Sequence, residues 1–378
     1  MSDATTTDPA AAPTWRGRVR QALPLLGSMQ GYIGLILVLI LGVATKGDMF
    51  LNQVNLTNAV GAFASRGILA VGVTLVILAA GIDLSVGSIL GFGSITAAML
   101  LVHQDMPVWQ IVPVCMLVGA LFGLCNGIGT TVLGIQSFVM TLAMLSVVRG
   151  LGRQLSDNVS VGTQVTTDSG ELTRNAESFQ ALGTPGHNVL TGIPLPLVGK
   201  EGIYYPVLAL VAVVIVFQLI LSKTMFGRHI YAVGGNPTAA RLSGVNVTGV
   251  TIAVFALSGM LAGFAGPIEA AYSASADPLA GMSFELDAIA AAVIGGTSLA
   301  GGRGTIVGTL VGALILTLLD NILGLNAVSD NWQLVIKGLI VVVAVVLQRP
   351  GFLSGLLAPV RRLTGRTTAE AAAPAERA

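Results

Sequence analysis

Six ionisable side chains, Arg66, Asp83, Arg149, Glu269, Asp287 and Lys337, stand inside or at the borders of long apolar runs. A charge at a bilayer centre costs about 3 kcal/mol unless paired or hydrated, so each marks a candidate ion, proton or solute site. Asp83, Arg149, Glu269 and Lys337 lie within a turn or two of run ends, where snorkelling or capping also accounts for them. Asp83, in Gly81-Ile-Asp-Leu-Ser-Val-Gly-Ser88, is placed to cap the run that follows. Ser85 offers its first amides a second acceptor, and Gly87 lies at the same mobile joint. Arg66 sits deeper in its run and has to face a partner or a water-filled passage. A second group, Asn126, Gln136, Ser137 and Thr141 with Phe138, is uncharged. Amides, hydroxyls and an aromatic face suit a hydroxyl-rich neutral solute, so these are candidate pathway residues together with Arg66. Interhelical hydrogen bonds, about 0.6 kcal/mol each, account for them equally well.

Catalytic and metal chemistry find little support. No Gly-rich turn ends in Gly-Lys-Ser/Thr, and Gly295 to Gly304 lacks the lysine, so any ATP is hydrolysed by another chain. His103, His187 and His229 fall at no ligand spacing and read as loop histidines. Cys115 and Cys125 share one apolar run and read as small core residues, suiting neither a metal site nor a disulfide. No metal site and no cofactor in this chain are expected.

The most distinctive stretch is Gly234-Gly-Asn-Pro-Thr-Ala-Ala-Arg-Leu-Ser-Gly-Val-Asn-Val247. Asn236 is a helix N-cap, Pro237 suits the first helical position, and Gly244 can adopt the left-handed conformation that ends the helix. A helix of about two turns between membrane spans is too short to cross lipid and too polar to be buried in it. It makes sense if a soluble partner grips it.

The elements positioning these groups follow from composition. A mean hydropathy of +0.83 with 10% charged residues excludes a water-soluble globule. The expected fold class is an all-α integral membrane protein, a polytopic bundle of about ten transmembrane helices. Apolar runs fall near 29–46, 56–80, 83–102, 110–134, 136–152, 203–221, 247–271, 284–299, 303–321 and 332–348. Arg16, Arg18 and Arg20, then Lys223, Arg228 and Arg241, then Arg303, then Arg349, Arg361, Arg362 and Arg366 all fall on one face by this count. The positive-inside rule makes that face cytoplasmic, with both termini on it. The net charge of +1 is no pointer to nucleic acid.

Residues 1–26 are expected to be a disordered cytoplasmic tail, with the first span uncleaved. The permease domain runs over 27–350, and 351–378 is expected to be a second disordered tail. Residues 153–202 form a long polar loop on the outer face, read as either a functional subdomain or a loose tether. Residues 222–246 form the inner loop that carries the capped helix. Many of the 48 glycines recur at four-residue spacing, as in Gly119, Gly123 and Gly127 or Gly259 and Gly263, which lets helices pack closely. A faint echo links Gly81–Leu100 with Gly295–Leu314.

These stretches resemble the permease subunits of bacterial ABC importers for monosaccharides of the ribose, xylose and galactose type. The resemblance rests on Gly67-Ile-Leu-Ala-Val-Gly-Val-Thr-Leu-Val-Ile-Leu78, Gly81-Ile-Asp-Leu-Ser-Val-Gly-Ser88 and Ser137-Phe-Val-Met-Thr-Leu-Ala143. Gly192-Ile-Pro-Leu-Pro196, the 234–245 stretch and Gly295-Gly-Thr-Ser-Leu-Ala-Gly-Gly-Arg-Gly304 continue it. It implies a type II-like importer permease in the bacterial inner membrane, paired with a second permease copy as a homodimer or heterodimer. It further implies a cytoplasmic ABC ATPase, which uses ATP and Mg, and a periplasmic or lipid-anchored sugar-binding protein. On the same ground Asn236, Pro237, Ala239, Ala240, Arg241, Leu242 and Gly244 look like the coupling helix that docks on the ATPase. The long 153–202 insertion and Gln136, where many relatives have Pro, incline the cargo towards xylose. Alternatives are other ABC cargo (branched-chain amino acids, nucleosides, a furanone signal), an ion-coupled secondary carrier and a membrane scaffold.

Overall fold

A computed structural model describes residues 15–183, 188–189 and 203–347. The Met1–Pro13 tail, His187, the 192–196 stretch, and Arg349 with the residues after it lie outside the described residues, as do the side chains of Arg16, Arg18 and Arg20. The helices are α1 (Trp15–Phe50), α2 (Gln53–Leu78), α3 (Val86–Gln104), α4 (Val108–Thr131), α5 (Ser137–Leu155) and α6 (Arg174–Gln180). They continue with α7 (Tyr205–Lys223), α8 (Met225–Gly235), α9 (Pro237–Leu242), α10 (Val247–Tyr272), α11 (Phe284–Ile294), α12 (Ile306–Leu325) and α13 (Asp330–Leu347). Strand content among the described residues is limited to β1 (Val161–Gly162) paired antiparallel with β4 (Ser275–Ala276), and β2 (Asn188–Val189) with β3 (Ile203–Tyr204).

Each of the ten apolar runs falls on a helix, and seven helices are long and apolar enough to cross a membrane. The other three depart from that standard for visible reasons. Helix α5 carries Arg149 and Arg153, and α13 has its apolar stretch over Asn331–Val343. Helix α11 has 11 residues, about 16 Å at 1.5 Å each, half of a hydrocarbon layer of about 30 Å. The expected 284–299 span stops at Ile294 because Gly295 and Gly296 follow, the latter left-handed at φ +90°.

Helix α2 is the centre of the bundle: every residue from Gly67 to Leu78 is buried. In lipid the hydrophobic effect gives no bias between helix–helix and helix–lipid contact, so close packing holds such a core. The seam between α4 and α10 has this character. A Cβ at Gly119 would strike the carbonyl of Gly259, one at Gly123 the carbonyl of Phe255, and one at Gly263 the carbonyl of Cys115. Cys115 is buried as expected, but Cys125 is exposed, because it falls on the side of α4 turned away from this seam.

Two faces are distinguished by short helices. At one end of α10 stand α8 and α9; at the other, α6 packs Phe179 and Ala176, both fully buried, against the ends of α3, α4 and α10. The described part of the 153–202 loop thus packs on the bundle, and Gly183 lies so close to Tyr272 that a Cβ would overlap its backbone. Lys223, Arg228, Arg241 and Arg303 share the α9 end: Arg303 follows Gly302, whose amide donates to the Leu78 carbonyl at 3.0 Å beside Gly234. His103 lies in the last turn of α3 and His229 within α8, not in loops.

Two non-helical segments interrupt the helical pattern. Residues 79–85 leave the end of α2 and turn back into the bundle as far as Ser258 of α10, before α3 begins at Val86. Residues 277–283 lead from β4 to the start of the short helix α11.

Candidate functional site

Helix α9 forms as the sequence dictates. The Asn236 side chain accepts from the Ala239 amide at 2.9 Å, Pro237 opens the helix, and Gly244 has φ +85° with Val245 N donating to the Ala240 carbonyl at 3.0 Å. Ala240 is buried against the bundle, whereas Asn236, Pro237, Ala239 and Arg241 are exposed and Leu242 is 86% exposed. Leu242 therefore takes no part in packing α9 onto the bundle.

The root of α9 is wedged into the bundle. A Cβ at Gly234 would overlap the Leu78 carbonyl and meet Gly302 N at 2.6 Å; one at Gly301 would lie 2.7 Å from the Ala80 methyl. The turn after α2, the turn before α12 and the segment leading into α9 thus form one backbone-on-backbone junction. Tyr231 of α8 ties the same junction by donating to the Gly304 carbonyl at 2.9 Å, and partial burial pushes its hydroxyl pKa up.

From this junction the chain enters the 79–85 loop, where five candidate residues meet. Asp83 is fully buried and accepts from Ser85 N at 3.0 Å, from the Ser85 hydroxyl at 2.7 Å and from the Ser258 hydroxyl at 3.1 Å. Asn126 of α4 donates to Ser85 Oγ at 2.8 Å. From α5, Ser137 Oγ accepts from Ile82 N at 3.2 Å, and the Thr141 hydroxyl donates to the Ile82 carbonyl at 3.1 Å. Asp83 is not the cap of α3: the N-cap position is Ser85, whose side chain makes no capping bond because its hydroxyl is spent on Asp83. Asn126 and Thr141 are likewise buried against this loop, the first bonded to the Ser85 hydroxyl and the second to the Ile82 carbonyl. Gln136 and Phe138 are exposed at the start of α5.

Arg66 is drawn into a group that the sequence reading left in pieces. Its Nη1 lies 2.7 Å from Asp320 Oδ2 of α12 and its guanidinium 5.1 Å from the Phe284 ring centroid. Lys337 of α13 bridges Asp320 at 2.9 Å and Asp287 of α11 at 3.2 Å. Two cations and two carboxylates on four helices cancel in charge. The recess beside Arg66 measures about 10 Å³, room for about one water. Asp320 was absent from the sequence candidates; it lies in the last turns of the 303–321 run, where an acid is easily taken for a span end. Glu269 is paired too, accepting from the Ser65 hydroxyl at 2.6 Å.

Arg149 works on the other broken segment. Its Nη1 donates to the carbonyls of Ala280 at 2.6 Å and Pro278 at 3.1 Å. A Cβ at Gly87 would strike the Gly281 carbonyl and the Glu285 carboxylate, so Gly87 lets α3 approach this same segment. The pairing of Arg149 with two backbone oxygens more than a hundred residues away carries no sequence signal.

Fold and site together define a polytopic all-α membrane permease, with a short capped helix exposed on one face. Residues 55–345 match the family described as branched-chain amino acid transport system / permease component, and the chain belongs to that family. It is 39% identical over 317 residues to the ribose import permease protein RbsC of Haemophilus influenzae, covering 84% of this chain and 91% of that one. It is 36% identical over 330 residues to the galactose/methyl galactoside import permease protein MglC of Escherichia coli, covering 84% and 93%. Against the xylose transport system permease protein XylH of H. influenzae it is 34% identical over 360 residues, covering 84% and 96%. No solved structure matches.

Proposed function

We propose that this chain is the membrane permease of an ABC importer that carries a monosaccharide, most directly a pentose, inward across the bacterial cytoplasmic membrane. The cargo reading is supported by relatives named for ribose, galactose and xylose; a tilt towards xylose has no advantage over ribose, whose permeases are the more similar at 39–41%. In this reading the α9 end is cytoplasmic, in keeping with its Lys/Arg content. A separate ATPase, which consumes ATP with Mg, docks on Asn236, Pro237, Ala239, Arg241 and Leu242. The binding protein delivers sugar at the α6 face, and a second permease copy completes the assembly.

The observation that carries the reading is α9 itself: a capped helix with Leu242 86% exposed, rooted through Gly234 in the turn that opens the 79–85 loop. Closure of the ATPases moves α9, and the junction hands that motion to α5 through Ser137 and Thr141. The membrane chain then alternates between outward and inward openings. It requires only weak sugar binding, since a ligand shifts such an equilibrium solely by its differential affinity for the two states.

The test is uptake into proteoliposomes. With the ATPase, ATP and a sugar-loaded binding protein, radiolabelled ribose or xylose accumulates; with the permease alone it does not. Accumulation by the permease alone, or accumulation abolished by an ionophore while ATP is held high, overturns the proposal in favour of an ion-coupled carrier.

A further inference from the structure

Helix α6 carries two opposite charges that do not meet. Arg174 and Glu177 stand one turn apart, a spacing that brings Cβ atoms to about 5–6 Å and at which opposite charges ordinarily pair. Among the described residues neither enters an ion pair. Both open instead onto a recess of about 840 Å³, whose other walls include Pro107, Val108 and Trp109 around the start of α4, Ala181 and Leu182 after α6, and Tyr205 at the start of α7. A volume of that size takes a group as large as a typical ligand. Asn175 fixes the charged turn over it by donating to the Asp105 carbonyl at 2.6 Å.

The recess lies at the edge of the hydrocarbon layer. Trp109 is 72% and Tyr205 46% exposed, and each falls within the first two residues of a helix long and apolar enough to span. Tryptophan and tyrosine at span ends sit at headgroup level, with the ring towards hydrocarbon and the N–H or O–H towards water. From the recess an exposed apolar stripe, Trp109, Pro113, Leu117 and Leu121, runs along α4 at four-residue intervals on the side away from the α10 seam. A soluble partner has no use for that stripe, whereas a phospholipid uses both parts. A purely anionic headgroup would set its phosphate against Glu177. A headgroup with a phosphate and a free ammonium two carbons apart gives each side chain a charge-assisted hydrogen bond of the right sign.

We propose that this recess binds one zwitterionic phospholipid with a primary ammonium, of the phosphatidylethanolamine type. Arg174 holds the phosphate, Glu177 holds the ammonium, and an acyl chain lies along the α4 stripe. The bound lipid thereby bridges α6 to the starts of α4 and α7. The inference goes beyond the proposed function and needs only that the chain spans a membrane, whatever its cargo.

Trp109 supplies the reporter. In a Trp15→Phe, Trp332→Phe background it is the one tryptophan left in the full chain, and a lipid brominated on its acyl chains quenches it on contact. The full-length permease is reconstituted in phosphatidylcholine vesicles holding a small fraction of brominated phosphatidylethanolamine or of brominated phosphatidylglycerol. Phosphatidylethanolamine should reach half-quenching at about one tenth of the fraction that phosphatidylglycerol needs, the worth of one charge-assisted contact. Arg174→Gln combined with Glu177→Gln should erase that preference; both side chains are exposed, and the melting temperature of the variant checks that it is folded. Equal quenching by the two lipids would mean ordinary solvation by bulk lipid and would overturn the inference. A preference that survives in the folded double variant would overturn it as well. Affinity for the binding protein is measured on the same samples: if the double variant loses that affinity and the parent shows no lipid preference, the recess belongs to a protein partner and the lipid assignment fails.

Discussion

Two breaks in the helical pattern, 79–85 and 277–283, are built in opposite ways. The first is enclosed by α4, α5 and α10: Asp83 is fully buried with three hydrogen bonds, and both polar groups of the Ile82 backbone examined by α5, its amide and carbonyl, have side-chain partners. The second is pinned from one side by Arg149 and leaves Leu279 and Met282 uncovered. The first break is held from three helices by side-chain hydrogen bonds, whereas the second is held from one side only. Under the proposed function, the enclosed break is the one suited to carry motion from α9 into the bundle.

That contrast can be broken most severely at Asp83. Asp83→Leu strips partners from the Ser85 amide and from two hydroxyls in a dry site, and should lower stability by about 3 kcal/mol, read as a large fall in the melting temperature of the detergent-solubilised permease. An unchanged melt would mean that the loop is not held from within. Arg149→Gln should act on transport more than on folding. We expect uptake to fall about tenfold, or about 1.4 kcal/mol, with a melting shift smaller than that of Asp83→Leu; the reverse ranking would erase the distinction between the two breaks. The finest probe is Ser137→Ala, which removes one acceptor from Ile82 N and should destabilise by about 1 kcal/mol, with uptake reduced but present. Full uptake at unchanged stability would remove α5 from the coupling route.

How much of this was legible in the sequence depends on whether the signal was local. The cap at Asn236, Pro237 at the helix start and left-handed Gly244 are local, and α9 formed as read. The four-residue glycine spacing of α4 and α10 likewise foretold a close seam. Asp83 shows the limit: its type and position fit an N-cap, but the competing bonds to Ser85 and Ser258 depend on a loop that turns back into the bundle. Arg66, Asp287 and Lys337 were each visible as costly charges, while their meeting point, Asp320, joins helices far apart in sequence. Asn126, Ser137 and Thr141 have the composition of a solute site, and only the fold directs them onto the 79–85 loop. The end of α11 at Ile294 follows from Gly295 and Gly296, and Gly295 also lies in close contact with Gly308.

The account turns on α9 as the point where energy enters. Leu242→Asp tests this most directly, because an 86% exposed side chain can be changed without disturbing the bundle. In vesicles holding the ATPase, ATP and loaded binding protein, sugar accumulation should fall at least tenfold, with insertion and melting temperature unchanged. Accumulation at the normal rate would contradict the claim that this helix drives the permease.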